Sequence, residues 1–373
     1  MHDMVRVTWD DLRFGEKLPW NIYDEHGKLL LRSGHVISKD GTMEHLRRYV
    51  MYRNVVDAEH QRRNKRKKIN AFNEAEKLVQ RLELMFIDIE AAQPESKEKI
   101  ERLANDVIEL CRLEADGALA ILRLPHNYSY AAYYTLQCAI LSALLVIHED
   151  LLPTEQEAIV AAALTANVGM LEVLNRLNQE NHFITDDELD IIDMHVDESV
   201  TLLKAAGIDN KMWLAIVLAH HEQLDGSGYP NAMYAKDIPR GAMMLAVAGH
   251  YCESLLHHNN RQAGSVDEAM KLFFGDNGEK FDRDYARLLL ELFTIYPPGC
   301  FVKLSNGETA IVIRRGKQDS TLPILKSITG PNGQRYANPL LRDCSINDYV
   351  IDGFCEYAQK DILNYENLWG YVK

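Results

Sequence analysis

Apolar residues recur every three or four positions from Ile69 to about Phe293, and that period predicts helix. Leu78, Leu82, Met85, Phe86 and Ile89 form one stripe. Ile100, Leu103, Val107, Ile108 and Cys111 form the next, after a break at Gln93-Pro94. Residues 115–124 and 130–147 are richer in Ala and Leu, as expected of more buried helices, and 155–178, 186–206 and 210–221 continue the run. Helix sustained over roughly 200 residues with short polar breaks means an all-α bundle.

Both ends have a different texture. In residues 1–57, Asn21-Ile22-Tyr23 and Lys28-Leu29-Leu30-Leu31 flank a turn ending in Gly27, which predicts a hairpin. Ser38 to Thr42 can start a short helix running to Arg48. At the other end, Phe301–Leu304 and Thr309–Ile313 bracket Ser305-Asn306-Gly307-Glu308, and a further pair brackets Gly330-Pro331-Asn332-Gly333. The fold class is therefore mainly α, a helical bundle with small β-rich modules at the N- and C-termini. The expected division is 1–57 for the first module, 58–124 for a basic linker and helical hairpin, 125–295 for the main helical domain, and 296–373 for the second module.

A hydrophobic content of 47% with 26% charged residues allows a sizeable core and excludes disorder as the dominant state. Acidic residues outnumber basic ones, 55 to 41, for a net charge of −14, so no DNA partner is expected. The local exception is Arg62, Arg63, Lys65, Arg66, Lys67 and Lys68, which reads as a solvated connector or as a patch for phosphate, lipid headgroups or an acidic partner. No uninterrupted run reaches the ~18 apolar residues of a bilayer span, so no membrane span is expected. The N-terminus lacks a signal-peptide layout. Six scattered cysteines form no CxxC pair, which argues against a zinc knuckle or a disulfide framework. A cytoplasmic protein with reduced thiols is the economical expectation.

The candidate chemistry lies in His220-His221-Glu222-Gln223-Leu224-Asp225-Gly226-Ser227-Gly228-Tyr229-Pro230, after the apolar helix Trp213–Leu218. Paired histidines at a helix end offer imidazole nitrogens to a metal, with carboxylates nearby. Gly226 and Gly228 permit positive φ and close backbone approach, and Pro230 stiffens the exit.

This string resembles the signature of the HD-GYP family, a branch of the HD metal-dependent phosphohydrolases, and the likeness extends over residues 125–295. The resemblance implies an all-α bundle holding two or three metal ions, where a metal-activated water attacks a phosphodiester of cyclic di-GMP. It also marks the ligand positions. Tyr134 stands where an early-helix histidine would be. Thr165 and Ala166 replace the name-giving His-Asp pair, and Gly249 replaces a late aspartate. Met170 and Met243 stand for a lysine and an arginine, and Arg261 is the one basic residue kept as a phosphate contact. His195, His220 and His221 survive.

A bridging carboxylate offsets the repulsion between two cations, and neutral imidazoles cannot. With every carried-over carboxylate replaced, a binuclear site is not expected and no catalytic residue is assigned. The three histidines are then either core side chains bonded to their neighbours or a single residual site for a divalent transition metal. Glu222 and His250 lie near the ligand positions in sequence, but spacing alone does not make them ligands. Tyr134 reads as a filler of vacated space. The resemblance thus implies a catalytically inactive regulatory protein of cyclic di-GMP signalling. It would act through the loop of Asp225, Gly226, Gly228, Tyr229 and Pro230 on a GGDEF-type diguanylate cyclase or another signalling protein, and a homodimer is compatible with this. The alternatives are a receptor that binds cyclic di-GMP without turnover and an active phosphodiesterase with rewired ligands. All three require His195, His220 and His221 to converge.

Overall fold

The computed structural model describes residues 69–371, apart from 125–126, 150, 178–183, 257–272, 274–279, 317–318, 320 and 347–348. Before residue 69 it describes 4–7, 12, 18, 21–25, 28–32, 35–36, 46 and 49–54. The expected helix near 38–48 (Leu46 apart), the basic run at 62–68 and Arg261 lie outside the described residues. The chain forms two compact units, Met1–Lys68 and Ile69–Lys373.

In the first unit, β1 (Met4–Val7), β2 (Ile22–Tyr23), β3 (Leu29–Leu31) and β4 (Met51–Asn54) make an antiparallel sheet in the order β1-β4-β2-β3. The expected hairpin is β2–β3, and the Asp24 carboxylate holds its turn by accepting from the Lys28 amide at 2.9 Å. Val7, Leu12, Leu18, Ile22, Leu46 and Met51 form its small core.

The second unit opens with α1 (Ala71–Glu90), α2 (Ser96–Leu113) and α3 (Ala115–Ile121). Next come α4 (Tyr130–His148), α5 (Pro153–Thr165), a 3₁₀ turn at Val168–Met170, α6 (Leu171–Leu177), α7 (Asp186–Ala205), α8 (Lys211–Ala219), α9 (Arg240–Leu256) and α10 (Arg283–Phe293). Side-chain caps fix several starts: Asn70, Ser129, Thr185, Asn210 and Asp282 each accept from backbone amides of the first turn. Thr185 and Glu188 form a reciprocal capping box that starts α7. One apolar core runs from α1 to α10.

Helix α4 is buried on every face from Ala131 to Val146 and is packed by α2, α5 and α9. This bears on the expectation that no helix spans a membrane. Tyr130–His148 and Pro153–Leu177 are long and apolar enough to cross a membrane, with mean hydropathy 1.6 and 1.5. Occasional polar residues such as Thr135, Gln137 and Ser142 hide this from a search for unbroken runs. Within the bundle these segments are 89% and 78% buried, so their apolar character serves the core.

The C-terminal sheet contains β5 (Phe301–Leu304), β6 (Thr309–Arg314), β7 (Ile324–Thr329), β8 (Arg335–Asp343) and β9 (Ile351–Phe354). It is antiparallel, in the order β8-β7-β6-β5-β9. Ile311, Ile313 and Ile328 pack against Ala120 and Leu124 of the bundle and against Trp369, just after α11 (Tyr365–Leu368). Arg315 reaches Asp116 on α3 at 2.5 Å. Inside the sheet, buried Glu308 accepts from Arg342 through both oxygens, at 2.7 and 2.8 Å, and from Ser327 and Tyr336. The Arg342 guanidinium holds the Glu308 carboxyl down at about 2, against the opposing pull of burial.

Candidate metal centre

Three elements bring the surviving histidines together. His195 lies midway along α7, His220 caps the end of α8, and His221 follows it. The approach of α7 depends on Gly169, in the 3₁₀ turn. A Cβ there would stand 2.7 Å from the His195 carbonyl oxygen, so only glycine lets the backbones come this close. The Gly169 amide donates to Ser199 Oγ at 2.9 Å, fastening the turn to α7.

One ligand nitrogen from each of His195, His220 and His221 lies within 4.8 Å of the other two. His195 Nδ1 donates to the Ile192 carbonyl at 2.5 Å, and His220 Nδ1 donates to the Val217 carbonyl at 2.6 Å. A carbonyl only accepts, so these bonds place the hydrogen of each neutral ring on Nδ1. Each Nε2 is left with a lone pair, and the two Nε2 atoms face each other at 3.5 Å. His221 Nε2 is buried without a hydrogen-bond partner.

Protonation does not relieve this crowding of lone pairs. Burial lowers the His195 imidazole below its ordinary value. Burial, with the neighbouring His195, brings His220 down to about 3. Burial and then the two other rings push His221 well below the ordinary range. Neutral nitrogens converging on one point, with backbone carbonyls orienting two of the rings, fit one divalent transition cation.

The positions that the resemblance marks as replaced are part of the core. Thr165 Oγ1 donates to the Ala161 carbonyl at 2.7 Å and accepts from Trp213 Nε1 at 2.8 Å. Ala166 is fully buried, and Met170 packs in the same core. A Cβ at Gly249 would meet only Tyr134 Oη, at 3.5 Å, so the tyrosine hydroxyl stands over that place.

Beside the histidines lies a cavity of about 120 Å³. Its walls include His220 and His221, Tyr134 and Cys138 of α4, Asn167, and Gly249, His250 and Glu253 of α9. Sequence reading did not single out Asn167 or Glu253. Glu253 could have been found from the i, i+4 spacing that puts it on the same helical face as Gly249. Glu222, weighed as a stand-in ligand, has another task. Its two oxygens accept from the Asn231 and Met233 amides at 2.7 and 2.9 Å and pin the loop.

The loop is only partly a free surface. Asp225, Ser227 and Pro230 are exposed, and Ser227 closes a tight turn on Asp225 Oδ1. Gly226 has φ +80°, and a Cβ at Gly228 would meet the Gln223 amide nitrogen at 2.3 Å. Tyr229, expected in the exposed loop, is half-buried and stacks on His221, with ring centroids 4.8 Å apart. The tyrosine therefore walls the histidine cluster.

A helical bundle that gathers imidazoles from two helices and a following loop beneath a Gly-Tyr-Pro turn offers a three-nitrogen donor set. Residues 119–285 match the HD domain family. That stretch, under half of the chain, is what this protein shares with the HD domain family. It is 24% identical over 243 residues to cyclic di-GMP phosphodiesterase PA4108 of Pseudomonas aeruginosa, covering 65% of this chain and 58% of that one. It is 21% identical over 207 residues to cyclic di-GMP phosphodiesterase PdeB of Borreliella burgdorferi, covering 55% and 54%. It is 28% identical over 142 residues to the cyclic di-GMP phosphodiesterase response regulator RpfG of Xanthomonas campestris, covering 37% of each. The chain spans about half the length, or less, of these curated relatives. Among solved structures, Bd1817, an HDG"Y"P protein from Bdellovibrio bacteriovorus, shares the fold with a TM-score of 0.52 at 18% identity. That match covers 78% of this chain and 99% of the other.

Proposed function

We propose that this chain is a regulatory protein of cyclic di-GMP signalling that holds one transition-metal ion and does not hydrolyse the dinucleotide. The relatives named as cyclic di-GMP phosphodiesterases support the signalling context. The observation that carries the rest is the donor set. Among the described residues, the cluster of converging ligand atoms is three imidazole nitrogens with no carboxylate oxygen. Two cations a few ångströms apart repel strongly in a buried site unless an anionic bridge lies between them, and this cluster contains none.

His195 and His220 would hold a single cation through Nε2, oriented by the Ile192 and Val217 carbonyls, with His221 as the third donor. A cation there would supply Lewis acidity to one bound ligand. Tyr229 shields the cluster through its stack on His221. The exposed rim of the loop, Asp225, Ser227, Pro230 and Tyr234, is the surface offered to a protein partner.

The test is elemental analysis of the purified chain together with cyclic di-GMP binding and turnover. The expected result is one metal per chain and no linear dinucleotide or GMP. Two or more metals with product formation would overturn the proposal in favour of a rewired phosphodiesterase, a reading that draws on Glu253 at the cavity wall. Dinucleotide binding without turnover would make the chain a receptor.

A further inference from the structure

Three neutral imidazoles leave both charges of a divalent cation uncompensated. In a buried cavity that is costly, because desolvation of an ion is offset only by nearby opposite charge. Two carboxylates line the same cavity, and Glu222 gives both of its oxygens to the Asn231 and Met233 amides, which leaves Glu253 to face the histidines. Glu253 lies one turn beyond Gly249 on α9 and lines the cavity with His220 and His221. Tyr134 Oη donates to Glu253 Oε1 at 3.4 Å, and His250 Nδ1 lies 3.7 Å from Glu253 Oε2. The bare backbone of Gly249 leaves the space into which the tyrosine hydroxyl projects.

Building on the single-cation site proposed above, we infer that Glu253 is the charge-compensating carboxylate of the cation held by His195, His220 and His221. Tyr134 is the positioning residue that aims it. The lost aspartate at position 249 is thus answered from one turn further along the same helix. The net charge of the loaded centre falls from +2 to +1. Three nitrogens with one nearby carboxylate favour zinc, cobalt or ferrous iron over magnesium or calcium, which prefer oxygen donors. Asp193, two residues before His195 on α7, is exposed and does not line the cavity.

The experiment measures zinc affinity by competition with a chromophoric chelator, and cobalt binding by visible absorption. It uses the native chain, Glu253→Gln, Glu253→Asp, Tyr134→Phe, Asp193→Asn and His221→Ala. Glu253→Gln is expected to weaken zinc about 10- to 100-fold, the range for partners outside the ligand set. Glu253→Asp should recover most of that loss, Tyr134→Phe should fall between, and Asp193→Asn should match the native chain. The melting temperature of each metal-free variant separates lost affinity from lost fold. Equal affinity for Glu253→Gln and the native chain would overturn the inference while leaving the histidine site standing, provided His221→Ala abolishes binding. An equal loss in Asp193→Asn would also overturn it, since any nearby negative charge would then suffice. A native chain that binds neither metal would overturn the site and the inference together.

Discussion

Thr165, where the resemblance places a histidine, has a structural task in this protein through Trp213. The indole is fully buried, and its N–H meets the threonine hydroxyl 48 residues away in sequence. Removing that acceptor while keeping the side-chain shape strands a buried donor, at a cost of about 1–3 kcal/mol. Thr165→Val should therefore lower the stability of the helical unit by that amount in urea unfolding followed by tryptophan fluorescence. Unchanged stability would show that the bond contributes nothing. Single-residue roles of this kind were the least legible in the sequence. The motif comparison identifies Thr165 as a replacement, but nothing in the local string says which distant side chain it satisfies. Asn167 and Glu253 escaped notice for the same reason: they count only once α9 is packed beside α4 and the turn after α5.

Elements were far more legible. The three- and four-residue apolar period located the long helices, because each must turn one stripe toward the core. The His220–Pro230 string located the centre, because its glycines and paired histidines tolerate few other arrangements. The loop itself is better ordered than its glycines suggest. Glu222 fixes it from beneath, and Tyr229 fixes it from the side. Glu222→Ala should free the Asn231 and Met233 amides, raising their hydrogen-exchange rates about tenfold or more, equivalent to at least about 1.4 kcal/mol of local stability. Rates equal to those of the native chain would show that the carboxylate is not the anchor. The same substitution separates ordering of the loop from metal binding, since Glu222 gives both oxygens to the backbone.

At the scale of the whole molecule, the C-terminal sheet is continuous with the bundle core yet carries an electrostatic lock of its own. Glu308 titrates at about 2 when folded and in the ordinary carboxylate range when unfolded. The unfolded chain therefore binds the extra proton between those values. The stabilisation from ionised Glu308 is fully present above about pH 5 and is lost as pH falls toward 2, an effect of about 3 kcal/mol. Unfolding measured from pH 6 to 2 should show that loss in the native chain and a shallower one in Arg342→Met. Identical slopes would remove Arg342 as the cause. The alternating strands and glycine turns announced this sheet, but Glu308 and Arg342 lie 34 residues apart and meet only through the pairing of β6, β7 and β8.

The Trp213–Thr165 bond has a consequence for substitution at position 165. A chain given histidine at position 165 would lose the threonine hydroxyl and crowd a fully buried indole. An acid at position 166 would lie inside the same closed core. A histidine at 165 and an acid at 166 would therefore each be opposed by the packed core before any ligand could compensate.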